Sequence, residues 1–223
     1  MRSNRSVVLV GAFMLVVTST VALAQQTPLV FGVLNQQSPA LTAERWSPIL
    51  HYVGSASGVA LRFRMGASVQ ETNAMMARGE FDLIFTNHNF RPEYDALGYR
   101  VIARWGGDPI RTVVAVAPDS QISALEQLAG KKVAFPSRDA FVGYAVPTVA
   151  FKKASVRVEE VFAGNQEGAM AQVKARRVEA AAVNSRFLAQ YSEREGVEFR
   201  AIYTSEPFPE LAVIAHPRLS PSA

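Results

Sequence analysis

The residues of this chain best suited to chemistry are amides, hydroxyls and one imidazole placed where apolar runs end. Asn35 follows the run 29–34, Asn87 and His88 follow 81–86, Gln166 lies in the loop after 158–162, and Asn184 with Ser185 closes 180–183. Such groups hydrogen-bond a small polar or anionic ligand. No nucleophile with an adjacent base and no pair of carboxylates stands at catalytic spacing, so binding and not turnover is expected. The three histidines, His51, His88 and His216, lack metal-ligand spacing, and the absence of cysteine removes disulfides and thiolate metal sites. No metal and no cofactor is expected.

These side chains need elements to hold them, and the pattern supplies them. The stretch 130–151, GKKVAFPSRDAFVGYAVPTVAF, reads as a strand at 132–135, a turn at 136–139 and a helix from Ala140. A strand feeding a helix in this way leaves the first helical N–H groups unpaired at the carboxyl end of a sheet, where small anions bind. Asp139 fits a helix cap there, and Arg111 reads as a surface charge.

The rest of the chain alternates short strands with helical segments, the mark of parallel βαβ units. Further strands are expected at 29–34, 61–65, 81–86, 99–104, 112–117, 158–162, 180–183, 199–204 and 211–215. A helix at 42–55 would present Trp46, Ile49, Leu50 and Val53 on one face, with Pro48 either kinking it or delaying its start. Ser68 with Glu71, and Ser123 with Glu126, read as capping boxes opening helices that Gly79 and Gly130 end. The polar loops then gather at one sheet edge, and in two facing lobes they would line a single cleft.

Composition narrows the class. With 223 residues, 49% hydrophobic and 19% charged, the chain can bury one large core or two small ones. Arg2 and Arg5, an apolar run at 7–17 and Ala22-Leu23-Ala24 form a secretory leader, predicted to be cut after Ala24 so that the exported chain starts at Gln25 in the periplasm. Loss of the two arginines lowers the formal charge from +4 to +2, too little to indicate a nucleic-acid partner.

In this order the motifs resemble the phosphate/phosphite/phosphonate-type substrate-binding proteins of ABC transporters, a branch of the type 2 periplasmic binding proteins. The resemblance rests on Trp46-Ser47-Pro48, Gly79-Glu-Phe-Asp82, the run 125–135 (LEQLAGKKVAF), Gly143-Tyr144 with Pro147, the strand 178–183 and Ser205-Glu-Pro-Phe-Pro209. It implies an α/β fold of two lobes, each a mostly parallel sheet flanked by helices, joined by a hinge of two crossing strands near 112–117 and 199–204. The lobes would be 25–111 with 203–223, and 112–202, after a signal peptide at 1–24. It further implies a monomer that holds a small phosphonate-like or other polar solute between the lobes. The partner would be an ABC permease of the inner membrane or, as the alternative, a membrane-bound sensor receptor.

The anion-binding residues depart from the family pattern. Phosphonate-binding members usually place a Ser/Thr-rich triplet before Gly-Tyr, where this chain has Ala140, Phe141 and Val142; a frequent histidine is Gln166, and a common acid is Asn184. Backbone N–H groups at Ala140 to Val142 would remain as donors. The expected site is therefore Asn35, Asn87, His88, Ala140, Phe141, Val142, Tyr144, Gln166, Asn184 and Ser185, with Phe141 and Tyr144 as walls, although Tyr144 beside Gly143 reads more readily as core packing. Members of the family also continue past the last strand with helices that cover the first lobe, so one face of that lobe is expected to be exposed here.

Overall fold

The computed structural model describes residues 27–86, 96–104 and 106–219. β1 (Leu29–Val33), β2 (Leu61–Arg64), β3 (Leu83–Thr86), β4 (Arg100–Arg104) and β10 (Ala212–Ala215) make one sheet, ordered β2-β1-β3-β10-β4. β5 (Thr112–Val116), β6 (Lys132–Phe135), β7 (Glu159–Phe162), β8 (Ala180–Asn184) and β9 (Arg200–Thr204) make the other, ordered β7-β6-β8-β5-β9. The two orders are equivalent. In each sheet three neighbours run parallel, and the next strand, β10 or β5, enters antiparallel after the chain has crossed from the other sheet.

The crossings lie just outside the strands, 112–117 and 199–204, to which the family resemblance assigns them. Residues 112–116 and 200–204 belong wholly to the second sheet, and the chain changes sheet at 106–111 and 205–211. There Ile110 and Phe208 form an antiparallel bridge, each N–H donating to the other's carbonyl at 2.9 and 2.7 Å. Arg111, expected as a surface charge, instead donates to the Ser205 carbonyl at 2.7 Å and so ties the two crossings together.

Five helices flank the sheets among the described residues: α1 (Pro39–Ser57), α2 (Val69–Ala77), α3 (Val146–Lys153), α4 (Gln166–Lys174) and α5 (Ser185–Glu195). The second sheet is the better covered. β5 and β8 are buried along their whole length, as strands sandwiched between helical layers must be. On one face Val113, Ala115 and Val183 pack with Met170 of α4 and Phe187 and Tyr191 of α5. On the other, Val114, Val116 and Phe135 pack with Phe151 of α3.

Close approach fixes the start of α4. A Cβ on Gly168 would stand 2.3 Å from the backbone carbonyl oxygen of Ala163, so only glycine fits. Gly168→Ala is expected to cost about 1–3 kcal/mol through overpacking, read as a lower denaturant midpoint with unchanged slope; an unchanged midpoint would show that the β7–α4 junction relaxes freely.

Several local expectations are modified. Pro48 lies inside a continuous α1, and the Glu44 carbonyl that loses its helical donor belongs to an exposed residue that water can serve. Leu50 is buried, but Ile49 and Val53 are 49% and 43% exposed, because the first sheet is open on this side. The opening is a groove of about 350 Å³ bounded by Leu29, Leu61, Leu83 and Ile102. Ser68 accepts from the Glu71 N–H, while the Glu71 carboxylate reaches Ala67. At the second predicted box, Gln127 and not Glu126 reaches back, to the Ser123 and Ala124 N–H groups, and a 3₁₀ turn at Leu125–Leu128 results.

Candidate functional site

The carboxyl ends of β1, β6, β7 and β8 point toward the junction between the sheets, and each releases a polar loop there. Asn35 follows β1 and is 4% exposed; its Nδ2 donates to the Gly66 carbonyl at 2.8 Å and its Oδ1 accepts from the Thr72 hydroxyl at 2.6 Å. Its amide thus locks the β1 loop to the start of α2. Asn184 ends β8 and caps α5, its Oδ1 accepting from the N–H groups of Arg186 and Phe187. Gln166 opens α4, and its Oε1 accepts from the Asn184 N–H at 2.6 Å. Among the described residues the Nδ2 of Asn184 and the Nε2 of Gln166 have no partner, so both amides keep a donor for something else.

After β6 the chain turns at Pro136 and enters a π-helical turn, Phe141–Ala145, that runs on into α3. The Tyr144 and Ala145 N–H groups both donate to the Ala140 carbonyl, so those of Val142 and Gly143 precede the first helical bonds and have no acceptor within the helix. A Cβ at Gly143 would lie 2.8 Å from Pro136 Cγ, which explains glycine at this tight start.

Asn35, Ala140, Phe141, Val142, Gln166 and Asn184 line one cavity, closed on the first-sheet side by Leu34, Val69 and Leu211. It measures about 30 Å³, room for about two waters. The Phe141 ring stands edge-on to Phe208 at 5.0 Å and so seats the turn against the crossing chain.

The other expected residues lie elsewhere. Tyr144 turns away from the cavity: its ring packs on Phe135 and Phe162 and its hydroxyl donates to Glu160 at 2.8 Å. Burial, reinforced by that carboxylate, pushes its phenol above the usual range. Ser185 accepts from the Arg111 N–H at 3.1 Å and serves the crossing. Asn87 and His88 lie outside the described residues. Arg138 stacks over the Phe162 ring at 4.5 Å and pairs with Glu160, on the flank of the second sheet. Asp139 accepts from Asn73 of α2 at 3.3 Å, joining the two sides of the cleft.

Three features were invisible in the sequence. The Glu167 N–H donates to the Gln36 carbonyl while its carboxylate accepts from the Ser38 N–H, both at 3.2 Å, with Arg194 holding the second carboxylate oxygen at 2.6 Å. Glu167 is thereby the latch between α4 and the N-terminus of α1. Glu210, 5% exposed, sits in the second crossing with Oε2 3.0 Å from Arg186 Nη1, within ion-pair distance but off hydrogen-bond alignment. Ser137, fully buried beside the turn, keeps a hydroxyl without a partner among the described residues. The pair at Glu210 and the latch at Glu167 link residues far apart in the chain, for which no local signal exists.

Comparison with known proteins places this architecture. No curated protein matches the chain in sequence. A binding protein component of an ABC phosphonate transporter from Pseudomonas aeruginosa is similar in structure, with a TM-score of 0.75 at 16% identity over 87% of this chain and 70% of that one. PhnD1 from Prochlorococcus marinus, solved in complex with methylphosphonate, gives 0.76 at 14% identity over 84% and 76%. The GluR0 ligand-binding core from Nostoc punctiforme, in complex with L-glutamate, gives 0.59 at 14% over 85% of each chain. At these identities the likeness is one of fold. In sequence, the family described as ABC transporter, phosphonate, periplasmic substrate-binding protein matches residues 31–223, nearly the whole described chain. With two equivalent α/β sheets, two crossings and, between them, a cavity into which amide side chains project among apolar walls, the chain belongs to the periplasmic substrate-binding proteins of phosphonate-type ABC transporters.

Proposed function

We propose that this chain captures a small organophosphonate or similar anionic solute between its two sheets and presents it to an ABC permease. The observation that carries the reading is the cavity in which the Gln166 and Asn184 amides and the start of the π-helical turn converge. The ligand would be held by the Nε2 of Gln166, the Nδ2 of Asn184 and the backbone N–H groups of Val142 and Gly143, with Ala140, whose own N–H donates to the Ser137 carbonyl at 3.3 Å, and Phe141 lining the cavity and Asn35 fixing the opposite wall. Asn87 and His88 complete the proposed set, and Ser185 acts through the crossing. The lobes would divide within the two crossings, at 106–111 and 205–211, which moves the second boundary of 202/203 past the end of β9, and the leader would be removed after Ala24.

No side-chain hydroxyl or cation of the described residues faces this cavity. Charge-assisted hydrogen bonds are worth roughly 1.5–3 kcal/mol each, so a cup of amides and backbone N–H groups holds a free phosphonate head at micromolar and not nanomolar strength. Thermal unfolding of the chain from Gln25 tests the reading against phosphate, alkylphosphonates, sulfonates and dicarboxylates. A ligand at 100 times its dissociation constant adds about 2.7 kcal/mol, and each kcal/mol raises the midpoint by roughly 2–4 °C. Shifts with phosphonates are expected; shifts with dicarboxylates alone would overturn the phosphonate assignment.

A further inference from the structure

The inner cavity opens beside a second and larger one. A groove of about 360 Å³ shares Gln36, Asn184 and Leu211 with it, so these residues form the wall between the two. Three rings contribute to its walls beside amide and charged groups: Trp46 of α1 packs against Phe85 with ring centroids 4.9 Å apart, and Phe187 of α5, 3% exposed, presents an edge from the second sheet's side. Three charged groups border it. Arg186 and Glu210 neutralise one another at 3.0 Å. Arg45, exposed on α1, has no ion pair or hydrogen bond among the described residues, so the groove carries a net positive charge.

Room for about two waters accepts a head group and nothing more, whereas about 360 Å³ falls in the range that encloses an organic body. Aromatic side chains in a wall favour a ring placed edge-on or offset against them. Resting on the reading of the cleft as a solute site, we infer that the preferred ligand is an organophosphonate with an aryl or comparably bulky apolar body. The head occupies the cavity at Gln166 and Asn184, and the body lies along Trp46 and Phe187. Arg45 selects for anions at the mouth. The assignment differs from a wall of Phe141 and Tyr144: the first seats the hinge and the second faces the flank.

The chain has two tryptophans, Trp46 and Trp105, which gives a direct readout. The chain from Gln25 is titrated with benzylphosphonate, methylphosphonate and phenylacetate, followed by calorimetry and by tryptophan emission, with Trp46→Phe as the spectral control. Benzylphosphonate is expected to bind at least 10-fold more tightly than methylphosphonate and to change an emission signal that Trp46→Phe removes. Arg45→Glu, at an exposed position that leaves the fold intact, should weaken it several-fold. Equal or tighter binding of methylphosphonate would overturn the groove assignment and leave solute capture standing, as would benzylphosphonate binding that leaves Trp46 emission unmoved. Phenylacetate as tight as benzylphosphonate would uphold the groove and remove the phosphonate head. Binding of none of the three at millimolar concentration would overturn both.

Discussion

Arg186→Ala should destabilise the protein by about 3 kcal/mol, the low end of the cost of stripping the partner from a buried charge. The carboxylate of Glu210 is 5% exposed, and among the described residues its Oε2 pairs with the Arg186 guanidinium alone, at 3.0 Å. Its other oxygen accepts from the neighbouring Leu211 N–H at 2.9 Å. The same guanidinium donates to the Asp108 carbonyl at 2.8 Å in the other crossing, so one side chain of α5 holds both connections between the sheets. The Arg186 side chain is 35% exposed, which admits water and keeps the cost from the upper part of the range. At roughly 2–4 °C per kcal/mol the midpoint should fall by about 6–12 °C. Pairing Arg186→Met with Glu210→Leu removes both charges and should recover most of that loss. A single-substitution cost below about 1 kcal/mol would mean that the carboxylate is not held by this pair.

Gln166→Glu should leave the fold standing and abolish binding of anions. The new carboxylate keeps an oxygen for the Asn184 N–H, now accepted by Gln166 Oε1 at 2.6 Å, and it lies at the N-terminus of α4, where negative charge is favoured. The position is 8% exposed, so desolvation of the new charge outweighs that gain and stability should fall by about 1–3 kcal/mol. The Nε2 donor is replaced by an anion facing the head group. Loss of the donor alone is worth roughly 1.5–3 kcal/mol, and like-charge repulsion at contact adds to it, so affinity should fall about 100-fold or more. Calorimetry at pH 8 keeps the carboxyl ionised despite its burial. Undiminished anion binding by a folded Gln166→Glu would place the head group away from α4.

The parts of this fold that sequence revealed are those encoded within a few residues. Leu29 to Val33, Lys132 to Phe135 and the alanine run of β8 announce buried strands, and Ser68 announces the start of α2. Asn184 stands out because a polar residue directly after a buried strand needs a reason to be there; the structure supplies one in the cap of α5, with half the amide left over. Gln127, one residue beyond the expected Glu126, shows how little separates two capping solutions in a short turn.

What remained hidden depends on distance along the chain. Ser38 meets Glu167 across 129 positions, and Arg218 meets Asp82 across 136. Gly143 beside Tyr144 suggests core packing for the ring, but its partners, Phe135, Phe162 and the carboxylate of Glu160, are set by the tertiary arrangement. The antiparallel entry of β5 was equally silent, since Thr112 to Val116 reads as any buried strand until the crossing before it is known. The groove at Trp46 was concealed because Trp46 on an apolar helical face reads as core, and the opening of the first sheet beside α1 is a property of the tertiary arrangement.

Capture between the sheets is tested most directly by calorimetric titration of methylphosphonate into the chain from Gln25 and into its Gln166→Glu variant. The expected result is one site per chain with a dissociation constant in the range of about 1–100 μM, near −8 to −5.5 kcal/mol, and no measurable heat of binding in the variant. Saturable binding retained in full by Gln166→Glu, or no saturable binding by the parent chain, would contradict it.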